Sequence, residues 1–135
     1  MREIKFRAWD KEEQEMLDWD KFFNLDIAQV FESKGSWGVY PMQYTGLKDK
    51  NGVEIYEGDI DQAENGDKSV IVFLLKSGTY CVMPMDIYLN NDYQNESFFP
   101  DFIYGFGYDL FFDNCTPDKY LNIIGNIYEH NHLLG

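Results

Sequence analysis

Four carboxylates, Glu54, Glu57, Asp59 and Asp61, crowd into eight residues around the end of the segment MQYTGLKDKNGVEIYEGDI (Met42–Ile60). Oxygen donors at that density are what Mg²⁺ or Ca²⁺ requires. The spacing is not that of an EF-hand, however, and no helix-borne pair completes a ligand set. The expectation is structural: Asp59 fastens a Gly-Asp corner and the glutamates form a solvated face, with no metal. His130 and His132 stand two apart and would share one side of a strand. Zinc wants a further Cys or His close by, and only Glu129 is local, so exposed histidines on a frayed end are expected. Cys81 lies in the apolar run TYCVM and Cys115 among acids in DNCT. Both settings disfavour a thiolate, so neither reads as a nucleophile. Two buried thiols in a reducing compartment are expected instead. No catalytic residue emerges, no cofactor is called for, and the expectation is a non-enzyme.

Lys5, Arg7 and Lys11 with Trp9 offer a basic, aromatic strip of the kind that stacks single-stranded bases. Glu3, Asp10, Glu12, Glu13 and Glu15 surround it, so the expectation is a solvated surface strand of mixed charge. Over the 135 residues, 11 Lys and Arg face 24 Asp and Glu, a formal charge of −13. Affinity for nucleic acid comes from cations that displace counterions, so a chain this acidic should repel phosphate and favour a basic protein partner. A nucleic-acid-associated barrel is the alternative, and it would need a contiguous basic groove.

The elements that must position these residues read mostly as strands. REIKFRAWD alternates, with Ile4, Phe6 and Ala8 on one side and Lys5, Arg7 and Trp9 on the other. A charged turn, DKEEQEM, follows. Phe23, Ile27, Val30 and Phe31 stand at helical spacing, which predicts one short helix near 20–32 capped by Asp20. Strands are expected near 2–9, 43–47, 53–62, 69–76, 79–84 and 120–129. Asn51-Gly52 and Asn65-Gly66 predict hairpin turns with both central residues at positive φ. Gly46, Asn51, Gly52, Gly58, Asp59 and Gly125 are the expected structural corners. Gly58 should need a backbone angle that disfavours a Cβ, and Gly125 should mark a bulge in the last strand. SVIVFLL is apolar on both faces and is expected to be central. No apolar run reaches the roughly 20 residues of a membrane helix, and the charged opening MREIKFRAWD is no signal peptide, so a cytoplasmic location is expected.

Between Ser77 and Asp118 the character changes: 42 residues hold no Lys or Arg, seven acids and eleven Tyr or Phe. Residues 85–118 are read as an acidic, aromatic-rich insertion in a single domain, 1–135. Two readings compete. The aromatics cover the core beneath long loops, or Tyr93, Phe98, Phe99, Asp101, Tyr104, Tyr108 and Asp109 form a partner surface in which carboxylates imitate phosphates.

Three blocks, REIKFRAWD, MQYTGLKDKNGVEIYEGDI and IIGNIYEH, together resemble the YopX family of phage and prophage proteins. The resemblance implies an SH3-like small β-barrel built from these blocks and a gene carried by a bacteriophage or prophage. It implies no activity and no catalytic residues. The expectation is therefore a protein-binding β-barrel module in a bacterial host cell, with the partner's identity and a homo-oligomer left open.

Overall fold

A computed structural model describes residues 3–76, 78–90, 93–94, 104–106, 114–115 and 117–134. Two sheets share the chain, antiparallel throughout except for the parallel pair β8 and β9 at one edge of the larger. Strands β1 (Phe6–Asp10), β2 (Glu15–Leu17), β3 (Val39–Lys48) and β4 (Glu54–Tyr56) form a four-stranded sheet in the order β2-β1-β3-β4. Strands β5 (Asp59–Gln62), β6 (Lys68–Leu74), β7 (Thr79–Pro84), β8 (Tyr104–Phe106), β9 (Asn114–Cys115) and β10 (Ile123–Asn126) form a six-stranded sheet in the order β10-β5-β6-β7-β8-β9. The protein is mostly β, with a curled half-barrel sheet.

The first sheet is longer and more divided than the alternation predicts. The strand expected over 2–9 is Phe6–Asp10, and the one expected over 43–47 starts at Val39. The first half of β3 pairs with β1 and the second half with β4. The charged segment after β1 is a full hairpin rather than a turn alone. Asp10 Oδ1 accepts from the Glu12 and Glu13 amides, Gln14 takes φ +56°, and β2 returns alongside β1.

The single helix expected near 20–32 is two helices, α1 (Trp19–Phe23) and α2 (Ile27–Ser33). Asp18, not Asp20, caps α1 by accepting from the Lys21 amide, and Asp26 caps α2 by accepting from Gln29. Each cap satisfies one of the amides a helix start leaves without a partner. The break at Asn24–Asp26 shifts the phase of the apolar stripe. Phe22 becomes fully buried with Ala8, Leu17 and Val30, whereas Phe23, which the uninterrupted spacing placed in the core, is 63% exposed.

The stretch expected as one strand over 53–62 is two, in different sheets. Its corner is Glu57-Gly58. Gly58 sits at φ +90°, where a side chain is strained. Its amide donates to Ile71 O and its carbonyl accepts from Ile127, so the corner is bonded on both sides. Both Asn-Gly loops keep Asn at negative φ and put only the glycine at positive φ, +81° at Gly52 and +94° at Gly66. In each, the glycine amide closes a turn on the residue three back, Asp49 or Ala63. This is the three-residue hairpin with a glycine bulge rather than the expected two-residue turn.

β6 is central, between β5 and β7. Ile71 faces one cluster with Ile55, Tyr80, Val82 and Leu121, while Val70, Val72 and Leu74 face another with Cys81 and Met83. Helix α3 (Met85–Leu89) follows β7, and Met85, Ile87, Tyr88 and Tyr93 pack on the second cluster. This part of the 85–118 segment is core cover. Helix α4 (Pro117–Tyr120) precedes β10, so the strand expected over 120–129 is reduced to Ile123–Asn126. The register shifts between Ile123 and Gly125.

The end of the chain is ordered around His130, against the expectation of a frayed terminus. A Cβ on Gly125 would lie 2.7 Å from His130 Nδ1, and the Asn126 amide donates to that same nitrogen at 3.2 Å. His130 is half-buried; His132 is exposed. Two stability outcomes follow. Gly58→Ala should cost about 1 kcal/mol or more through backbone strain alone, because the space around its Cβ is ordinary contact distance. Gly125→Ala should be destabilising through His130, so its cost should shrink in a His130→Ala background. Denaturant unfolding of the four proteins of that cycle checks both the coupling and its sign.

Candidate functional site

The carboxylates of the middle segment do not converge, and three of the four, Glu54, Asp59 and Asp61, are engaged separately. Asp59, 1% exposed, accepts from the Tyr56 amide at Oδ2 and pairs with Arg7 through Oδ1. Arg7 reaches it from β1, its guanidinium carbon 4.3 Å from the centre of the Tyr56 ring. Burial pushes Asp59 up to about 6, against the opposing pull of Arg7 and the Tyr56 amide. Glu54 pairs with Lys5 at 2.7 Å. Asp61, buried, accepts from the Asn122 amide at 2.7 Å, and burial raises it too. Among the described residues no three His, Cys, Asp or Glu side chains gather as a metal site.

These pairings take up two of the three cations of the alternative basic strip at the N-terminus, leaving Lys11 exposed. Lys5 is bound to Glu54 and Arg7 to Asp59, and Trp9 is buried with Met42, Tyr44 and Tyr56. A ring packed in a core cannot stack a base.

Sequence reasoning missed Asp49, which is 3% exposed. Its Oδ1 accepts from the Asn51 and Val53 amides and its Oδ2 from Ile123 on β10. One carboxylate thus closes the first Asn-Gly loop and ties it to the end of the chain. Asn126 does the same for the final turn, accepting from the Tyr128 and Glu129 amides. The available signal was an Asp two residues before Asn-Gly, a position from which its side chain reaches amides two and four residues on.

Among the described residues two concavities stand out. The first is a groove of about 610 Å³ beside α1, α2 and the first sheet. Leu17, Val30 and Val39 form its apolar floor, and Trp37, 53% exposed, stands at its edge. Asp10, Glu15 and Asp26 rim it against a single base, Lys21. The second is a cleft of about 280 Å³ at the Gly58 corner, lined by Glu57, Tyr88, Tyr93, Gln94 and Tyr128 among others. Tyr40 stacks on Tyr128 with centroids 4.9 Å apart, and Tyr88 on Tyr93 at 5.2 Å. Burial raises Glu57, and burial with neighbouring Tyr88, Glu57, Tyr40 and Tyr93 pushes Tyr128 up to about 12.

Of the expected partner surface, Tyr93 is half-buried in this cleft, and Tyr104 contributes its backbone to β8, paired with Val82. Phe98, Phe99, Asp101, Tyr108 and Asp109 lie outside the described residues. Among the corner residues, Gly46 takes φ +89° where the register of β3 against β4 shifts. Cys81 is buried in β7.

Fold and site together define a small, mostly β protein whose buried carboxylates hold turns and strands. A family model described as YopX protein matches residues 5–135, and the chain belongs to the YopX family. No curated protein matches it. Among solved structures it is similar to protein EF1440 from Enterococcus faecalis, at 25% identity, with 100% of each chain covered and a TM-score of 0.52. No helix among the described residues is long and apolar enough to cross a membrane.

The Arg7–Asp59 pair has a pH signature. A carboxyl raised to about 6 in the fold, from 3.8, binds its proton more tightly there than in the unfolded chain. Its contribution to stability is complete below about pH 4 and lost as pH rises through 6. Glu57 and Asp61 shift in the same direction. The melting temperature should therefore increase from pH 7.5 to 5. Arg7→Leu should cost about 3 kcal/mol at pH 7.5, where it strands a buried anion, and less at pH 5, where Asp59 can protonate. An equal penalty at both pH values would show that the pair is not what holds the corner.

Proposed function

We propose that this chain is a phage- or prophage-encoded accessory protein that works by binding another protein, on an SH3-like β module, in the cytoplasm of a bacterial host. The observation that carries the reading is the groove beside α1 and α2: an apolar floor, an exposed Trp37 and three rim carboxylates against one lysine. An exposed aromatic that a partner would bury, beside an apolar floor and a polar rim, is the composition of a protein-binding hot spot. The rim and the net charge of −13 fit a basic segment carrying at least one large apolar residue.

The nucleic-acid reading loses its motivation once Lys5 and Arg7 are paired and Trp9 is buried. Labelled duplex DNA at physiological salt should show no measurable binding, millimolar at best. Submicromolar binding that weakens with salt would reverse the preference. For the proposed partner, a protein captured from host lysate is purified and titrated against the wild type and a Trp37→Ser, Asp26→Asn variant. Affinity should fall at least about tenfold in the variant, equivalent to about 1.4 kcal/mol. The association rate should fall as salt rises, since exposed charges are screened within about 8 Å at physiological ionic strength. A captured protein that binds the variant equally well does not use the groove, and overturns the assignment.

A further inference from the structure

We propose that the cleft at the Gly58 corner is a site for an alkylammonium group, held by Glu57 and the faces of Tyr88, Tyr93 and Tyr128. Glu57 is the one acid of the middle segment that the fold leaves over. Glu54 has Lys5, Asp59 has Arg7 and Asp61 has the Asn122 amide. Among the described residues no group donates to the Glu57 carboxylate and no cation pairs with it, although it is only half exposed. Its backbone is fixed, the amide donating to Gln43 O and the next residue bonded to both Ile71 and Ile127. A carboxylate held part-buried and unpaired costs stability, and a cation entering the cleft would recover that cost.

The walls specify what kind of cation. Tyr88, Tyr93 and Tyr128 line the cleft with Glu57; Tyr40 stacks on one face of Tyr128 and Tyr88 stacks on Tyr93, so each of the three rings keeps one face for a ligand. Aromatic faces attract a cation through the ring quadrupole, and they suit one that carries its charge on methyl or methylene groups. Burial keeps Tyr128 in its neutral form far above physiological pH, so the ring adds no competing anion of its own. The volume, about 280 Å³, lies just below the roughly 300–1,000 Å³ typical of whole small-molecule pockets. It suits a single headgroup better than a nucleotide or a planar cofactor. Val70, Val72 and Ile127 close the inner end with apolar surface, which accepts methyl groups and offers no acceptor for a strongly hydrated metal ion.

The site is distinct from the α1–α2 groove, so the two proposals fail independently. The test is an NMR titration of the full chain with tetramethylammonium chloride at constant ionic strength, with the uncharged isostere tert-butanol as control. Amide shifts should concentrate at residues 57–58, 88, 93–94 and 127–128. Affinity should drop about tenfold in Glu57→Gln, equivalent to about 1.4 kcal/mol, while the weak response to tert-butanol stays unchanged. Because Glu57 has no partner to lose, Glu57→Gln should fold and melt no lower than the wild type, which keeps the comparison interpretable. A second arm titrates a Gly-Ser peptide bearing one trimethyl-lysine. Tighter binding than the free ion identifies a protein side chain as the natural source, and equal binding identifies a free small cation. Shifts scattered over the acidic surface, or identical titrations of wild type and Glu57→Gln, would overturn the site.

Discussion

A carboxylate that is almost completely buried, Asp59, joins the two halves of this protein. It stands at the first position of β5, in the six-stranded sheet, and its cationic partner Arg7 stands on β1, in the four-stranded one. Apolar contact between two sheets is non-directional and by itself would let them slide. A charge pair in low dielectric resists sliding, because separating it strands an anion where water does not reach. The remaining oxygen accepts from the Tyr56 amide, which fixes the corner from which β5 departs. Tyr56 in turn lies under the guanidinium. Backbone, anion, cation and ring therefore form one closed unit, and the hydrophobic clusters on either side are arranged about it.

The same device recurs along the middle segment. Asp49 bonds the Ile123 amide and Asp61 the Asn122 amide, so two neighbouring amides on the C-terminal block are held by carboxylates twelve residues apart. Backbone bonds from Lys50 to Leu121 O and from Gln62 to Asn122 O reinforce the contact. Arg7 and Lys5 supply the equivalent link to the N-terminal block. The three blocks that resemble the family are thus the three parts of one polar framework. Their acidic residues are structural because buried amides must find acceptors, and a carboxylate with two oxygens can serve amides from two different segments.

Period-two alternation made the mostly β character legible, and the apolar run of β6 identified the central strand. Gly58 was legible as a corner because Gly-Asp interrupts an otherwise alternating strand. The helix break was not, since Phe23, Ile27, Val30 and Phe31 keep helical spacing straight across Asn24–Asp26. Only the capping ability of Asp26 betrays the restart, and capping residues are also common in solvent. The Arg7–Asp59 pair was invisible for a related reason, and so was the link from Asp49 to Ile123. A local pattern records that an acid is present, but its partner is 52 residues away in the case of Arg7, and burial of a charge is decided by tertiary packing. The mixed charge of the N-terminal strand looked like a solvated face for the same reason.

Glu57 and Asp59 flank one glycine, and that adjacency links stability to the candidate site. With Gly58 at φ +90° the chain reverses, so the two acids leave the corner toward different surroundings. Asp59 goes inward to Arg7; Glu57 goes to the tyrosine-lined cleft. A strand without the turn would put both side chains on one face, two residues apart, where they would repel each other and compete for the same cation. The glycine therefore does more than permit a bend. It divides a pair of like charges so that one can be neutralised inside the protein while the other stays available. A change that relaxed the corner would unfasten the sheets and reorient Glu57 together.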